Sequence, residues 1–284
     1  MLDVWVCSNC HSLNRERATV CYKCGGPREQ STGEGEGLRP GRAIQARLVA
    51  GYRSSVELAL LAGFLILVVV GIEIYTTILE RTAFTTLAGL LDRIAAGGGF
   101  EPGEFDAAFA SMDRLALPGL AAFVAALLAF ATWLSVVVGN IPGLGGGEPS
   151  VTRLGTFVWA VIPVVNLRRI PKIIQEVLYR LDPRAGGVFM VGLAWIGLVG
   201  SWILARIVGL YIGTRLNFDA VNATSVEDFA RSSKQLVEWS FDLDVVTTAM
   251  ITFGAVTLVV IIAQVERRAA ARNREIEATL GPTA

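Results

Sequence analysis

The chain has four cysteines in its 284 residues, in the two pairs Cys7-Ser-Asn-Cys10 and Cys21-Tyr-Lys-Cys24, with ten residues between the pairs. Each such knuckle can give two thiolates to one tetrahedral Zn²⁺, and the spacer lets the second fold back onto the first. Four sulfur ligands close the coordination sphere, so the expected metal is structural, with no position open for a catalytic water. Two disulfides are the alternative, which would need an oxidising compartment; a redox CxxC would need a flanking βαβ pattern that the sequence lacks. His11, the one histidine, stands beside Cys10 and reads as a surface residue rather than a fifth ligand.

The flanks of the knuckles extend the pattern to Trp5-x-Cys7-x2-Cys10-x3-Asn14-x6-Cys21-x2-Cys24. Over residues 3 to 28 this resembles the Ran-binding-protein-2-type zinc finger. The resemblance implies that Trp5 packs beside the knuckles, that Asn14 braces them, and that the ligand is ubiquitin or single-stranded RNA. Ubiquitin binders carry Thr-Phe after the second cysteine, where this chain has His11-Ser12. RNA binders place an aromatic after the asparagine and two arginines beyond it, where this chain has Arg15, Glu16, Arg17 and Ala18. Without the aromatic the base-stacking contribution is weakened. The expected partner is therefore a cytoplasmic protein, with single-stranded RNA through Arg15 and Arg17 as the second choice and ubiquitin disfavoured.

No catalytic set is evident. HExxH, GxSxG and the Walker GxxxxGK[ST] pattern are absent, and the glycine runs at 97 to 99 and 145 to 147 lack the strand and helix that a phosphate cradle needs. General acid and base chemistry would fall to scattered carboxylates. The chain is expected not to be an enzyme.

The elements that carry these residues are set by an apolar composition. AVILMFWYC residues make up 53% of the chain, 30 glycines add to them, and only 18% are charged. The 25 basic residues balance the 25 acidic ones and the mean hydropathy is +0.53. Acidic disorder, a basic nucleic-acid protein and a collagen-like chain are excluded, and an integral membrane protein is left. No apolar stretch follows Met1 as a signal peptide requires, so the N-terminus is expected to be retained. Residues 29 to 54 are rich in Gly, Pro and charge and read as a flexible linker.

Four apolar runs, at 56–76, 115–138, 188–212 and 245–265, are long enough to span a bilayer; the first has 21 residues, about 32 Å as a helix. Residues 154 to 167 reach only about 21 Å and contain Pro163, so a segment at 154–170 is expected to be re-entrant or interfacial. After it, 172–184 places Ile173, Ile174, Val177, Leu178 and Leu181 on one stripe, as in a helix lying in the interface. Basic clusters lie before the first span (Arg39, Arg42, Arg47, Arg53), after the short segment (Arg168, Arg169, Lys172, Arg180, Arg184) and after the last span (Arg267, Arg268, Arg272, Arg274), and mark the cytoplasmic side. Loops 77–114 and 213–244 face out. Both termini, including the tail 266–284, are then cytoplasmic in a multi-pass protein of the cell membrane. The fold class expected is an all-α integral membrane protein behind a small four-cysteine zinc finger.

Within the spans, Glu73 and Arg206 are the deep charges, each about 26 Å from the inner boundary. They read as an ion pair, with snorkelling or a substrate or proton site as the alternatives. Nearer the inner surface, Trp133-Leu134 and Asn140 precede Pro163-x2-Asn166-Leu167-x3-Pro171. This pattern resembles the bacterial membrane family named domain of unknown function 4328, over about residues 55 to 265. The resemblance implies a multi-span domain, often behind a cytoplasmic zinc module, and implies no activity. From the residues themselves, Asn166 can satisfy backbone groups that the prolines leave unpaired, with a ligand site as the other possibility. The function expected is a membrane-anchored binding or regulatory protein whose finger recruits a partner to the inner face. The alternative is a homo-oligomeric transporter or channel component lined by Glu73, Arg206, Asn140 and Asn166.

Overall fold

In a computed structural model the described residues are 4–6, 13–15, 52–99, 101, 103–182 and 187–280. Two short strands, β1 (Val4–Val6) and β2 (Leu13–Arg15), pair antiparallel near the N-terminus. From residue 52 onward the chain is helical: α1 (Val56–Ala95), α2 (Glu104–Asn140), α3 (Arg153–Val161), α4 (Pro163–Leu181), α5 (Val188–Val221) and α6 (Val226–Leu280). Helices α1, α2, α5 and α6 are long and apolar enough to cross a membrane, the build of a multi-pass membrane protein; α3 and α4 are not among them.

Each expected span lies inside one of the long helices, but the helices run further than the apolar runs. Residues 77–95, 213–221 and 226–244, placed from sequence outside the spans with a short helix expected from Ser225 to Trp239, are helical, and the connections shrink to 96–103 and 222–225. The reason is that hydropathy measures how much of a helix is apolar, not where the hydrogen-bonded ladder stops. Ser225 caps α6 as its spacing to Asp228 implies, its Oγ accepting the Asp228 N–H at 3.0 Å. The helix it opens is continuous with the last span, and the tail is helical to Leu280.

The short segment also differs in detail. The break falls at Ile162, and α4 starts at Pro163 and carries Pro171 inside it, so the second helix begins nine residues before the expected 172. Pro163 cannot donate into α3 and so ends it, while its fixed φ suits the first turn of α4. Pro171 forfeits one ladder bond, and the burial of Ile170, Ile173, Ile174, Val177 and Leu178 along the same helix offsets that loss.

The chain divides into two compact units, and the helices contribute to each in turn. One comprises Met1–Glu57, Ala131–Gly187 and Ala263–Ala284. Its buried residues are Trp133, Leu134, Val138, Ile141 and Leu144 from the end of α2 and the turn after it, the α4 stripe, and Val265 and Ala269 from α6. The other comprises Leu58–Phe130 and Val188–Ile262. Its buried positions include Ala59, Ala62, Ala83, Ala126, Ala129, Ala194 and Ala255 beside larger residues such as Leu90, Leu91, Phe130, Leu258 and Ile261. At Gly197 a Cβ would stand 2.6 Å from Gly254 Cα, so α5 and α6 touch backbone to backbone there. Such close approach through small residues is how helices associate where lipid removes the hydrophobic drive.

Candidate functional site

In the first unit, the segment leading into α1 is fastened by side chains from α2 and α6. Asn140, the last residue of α2, grips Arg53 twice: its Oδ1 accepts the Arg53 N–H at 3.1 Å and its Nδ2 donates to the Arg53 carbonyl at 2.6 Å. Trp133 stands seven residues earlier, two turns along the same helix face. Its Nε1 donates to Glu266 Oε1 at 2.7 Å, and Ser55 Oγ donates to the same oxygen at 2.7 Å. Trp133 is fully buried, Ser55 is 1% exposed and Glu266 8%. Glu266 Oε2 is shielded from solvent with no hydrogen-bond partner among the described residues. A carboxylate this buried is tolerated only when donors compensate its lost hydration, which is the work of the indole and hydroxyl on Oε1. Burial raises the phenol of Tyr52 above its ordinary value, and the charges of Glu266 and Glu277 add to that rise.

The loop after α2 is held by a second group. Glu176 and Arg180, one turn apart on α4, pair at 2.7 Å. Arg180 donates to the Gly146 carbonyl at 2.7 Å, Arg272 to the Leu144 carbonyl at 3.2 Å, and Glu176 accepts the Ser150 N–H at 2.9 Å and the Ser150 hydroxyl. Burial works against the charged Glu176, but the hydrogen bonds from Ser150 and the adjacent Arg180 guanidinium outweigh it, holding the carboxyl below its ordinary value.

At the α3–α4 corner, Asn166 Nδ2 donates to the Ala160 carbonyl at 2.8 Å. In an unbroken helix that carbonyl would accept from residue 164, so the Asn166 side chain satisfies a group that the break at Pro163 exposes. Trp133, Asn140, Pro163, Asn166 and Pro171 are thus not one cleft. Trp133 and Asn140 belong to the fastening of residues 53–55, and Pro163, Asn166 and Pro171 shape the hairpin.

No ion pair joins Glu73 and Arg206 among the described residues, and Arg206 is exposed. Residue counting fixes depth along a helix axis but not rotation about it, and matched depth alone cannot bring two side chains together. One turn beyond Glu73, Thr77 Oγ1 lies 3.2 Å from Asp244 Oδ2 and 2.8 Å from Thr248 Oγ1, a polar contact between α1 and α6 of the second unit.

Cys7, Cys10, Cys21, Cys24 and Arg17 lie outside the described residues. The strands that flank the first knuckle do set Trp5 directly opposite Asn14 and Val4 opposite Arg15. For the zinc ion the donor chemistry fits, since four thiolates complete a tetrahedral sphere. Among the described residues no group of His, Cys, Asp or Glu is placed to hold a metal.

Sequence reasoning missed Glu266, Ser55 and the Arg53 backbone. Glu266 follows the apolar run directly and precedes Arg267 and Arg268, so it reads as the first solvated residue of a tail. Its signal was position: within one turn of the end of a span, a carboxylate still faces the bundle. No protein-family profile, curated protein or solved structure matches the chain.

Proposed function

We propose that this chain is a membrane-anchored binding protein that holds a structural zinc finger at the inner membrane face and through it recruits a cytoplasmic protein, with single-stranded RNA as the second candidate. The observation that carries the reading is the fastening of Arg53 to Ser55. The linker from the finger ends there, at a segment gripped by Asn140 and by the buried Glu266, so the finger is tethered to a fixed point. The finger itself rests on the four cysteines and on the Trp5–Asn14 apposition across the strands. Zn²⁺ would be held by Cys7, Cys10, Cys21 and Cys24 and would supply folding energy rather than chemistry. The reading assigns no enzymatic activity to the chain.

The test is fluorescence anisotropy of the zinc-loaded full chain in detergent against a randomised single-stranded RNA pool at two salt concentrations, beside crosslinking of cytoplasmic proteins to the same preparation. A protein crosslinked only while zinc is bound, with RNA affinity collapsing as salt rises, supports a protein partner. Saturable RNA binding that resists salt and is lost in Arg15→Ala/Arg17→Ala supports RNA. The absence of both forms of binding overturns the recruiting role.

The polar contact of Thr77, Thr248 and Asp244 favours a second reading, a homo-oligomeric solute transporter, since polar residues inside a bundle are costly and mark pathways. Solute flux into liposomes reconstituted with the chain, abolished by Asp244→Ala, would favour it over recruitment.

A further inference from the structure

From Arg153 to Lys172 the chain carries four cations, Arg153, Arg168, Arg169 and Lys172, and no Asp or Glu. All four side chains are exposed. Within the same stretch Leu154, Val158 and Ile162 recur every fourth residue and are also exposed, Leu154 at 73%. Leu154 and Val158 share one side of α3, and Ile162 follows at its C-terminal end. The Arg169 guanidinium lies 4.5 Å over the Trp159 ring. The apolar stripe of α4 is buried, so that helix presents its basic positions outward. The Glu176–Arg180 pair, which could have neutralised the patch, is turned to the loop at 146–150.

An uncompensated basic cluster beside exposed apolar side chains is unfavourable in water and matches the boundary between acyl chains and anionic headgroups. Arg168 and Lys172 are four apart and share a helix face, so one phosphate can meet both. A guanidinium fork suits phosphate oxygens, and an indole stacked under a guanidinium suits the wet edge of a bilayer. We propose that the α3–α4 hairpin is a binding site for anionic phospholipid, with Arg168 and Lys172 on the headgroup phosphate and Leu154, Val158 and Ile162 against the acyl chains. This rests on the inner-face reading of the hairpin. Labelling of a thiol introduced beside the hairpin, Glu148→Cys, in sided vesicles reads that face separately, so a failed lipid test leaves it standing.

The experiment is native mass spectrometry of the full chain in detergent, titrated with dioleoyl phosphatidylglycerol and, separately, dioleoyl phosphatidylcholine. Wild type should prefer phosphatidylglycerol by more than tenfold. A cation near a membrane surface contributes roughly fivefold in affinity, so Arg168→Gln/Lys172→Gln should bind phosphatidylglycerol about 25-fold more weakly. The exposed pair Arg267→Gln/Arg274→Gln on α6 removes the same charge without touching the proposed phosphate contacts and should leave binding within about threefold. Millimolar inorganic phosphate should not displace the lipid. Retained selectivity in the hairpin variant, equal loss in the control pair, or displacement by phosphate overturns the proposal. Hydrogen exchange of wild type in phosphatidylglycerol against phosphatidylcholine nanodiscs gives a check free of substitutions: protection should rise in 153–172, and no difference there counts against the site.

Discussion

The hydrogen bonds on Glu266 can be tested by taking one donor away in two backgrounds. Ser55→Ala removes a hydroxyl that donates at 2.7 Å to a carboxylate oxygen, in a site where Ser55 is 1% exposed and water cannot replace it. A hydrogen bond to a charged group contributes about 1.5–3 kcal/mol and a neutral one about 0.5–1.5 kcal/mol. Ser55→Ala should therefore cost about 2 kcal/mol in the wild-type background. In a Glu266→Gln background, where the acceptor is neutral, the same change should cost about 1 kcal/mol, a coupling of roughly 1 kcal/mol between residues 211 apart in sequence. At ~2–4 °C per kcal/mol for chains of this order, the wild-type loss reads as about 4–8 °C in thermal unfolding of the detergent-solubilised protein. Trp133→Phe should show the same sign of coupling with Glu266→Gln. Additive costs, with Ser55→Ala equally harmful beside glutamate and glutamine, would refute the claim that Glu266 is held as a carboxylate by these donors.

Other outcomes follow from the same geometry. Asn140→Leu removes both bonds to the Arg53 backbone, and hydrogen exchange should show protection lost at residues 52–55 while the middle of α2 stays protected. Gly197→Leu drives a side chain into the α6 backbone, 2.6 Å from Gly254 Cα, and should destabilise the second unit by at least about 1–3 kcal/mol, measured by denaturant titration in micelles. Glu176 has a folded pKa below its unfolded value of about 4.3, so its contribution is present above that pH and is lost as pH falls through the lower folded value. Glu176→Gln should flatten the acid limb of the pH–stability curve below about pH 4, and a limb unchanged by the substitution would count against this.

How much of this was legible in the sequence varies with the kind of information each feature carries. Apolar length placed the four long helices because a bilayer needs about 20 apolar residues in a row. The helix ends were hidden, since nothing in hydropathy stops a helix at the water boundary, and 226–244 runs on from Ser225 into the last span. Pro163 was visible as a breaker and Asn166 as its remedy, because both act within a turn of their own position. Glu73 and Arg206 show the limit of counting, which gives height without azimuth. Glu266 was hidden for the opposite reason: its partners Ser55 and Trp133 are 211 and 133 residues away, and only the packed helices bring them to it.

The central proposal is a zinc-loaded finger at the inner face, to which the reading assigns all four cysteines of the chain. One labelling experiment tests both halves: membrane vesicles of known sidedness are treated with an impermeant maleimide before and after a zinc chelator. Silent thiols that become reactive only after chelation, and only in inside-out vesicles, are the result expected. Labelling in right-side-out vesicles, or thiols that stay silent in both until a disulfide reductant is added, would contradict the account.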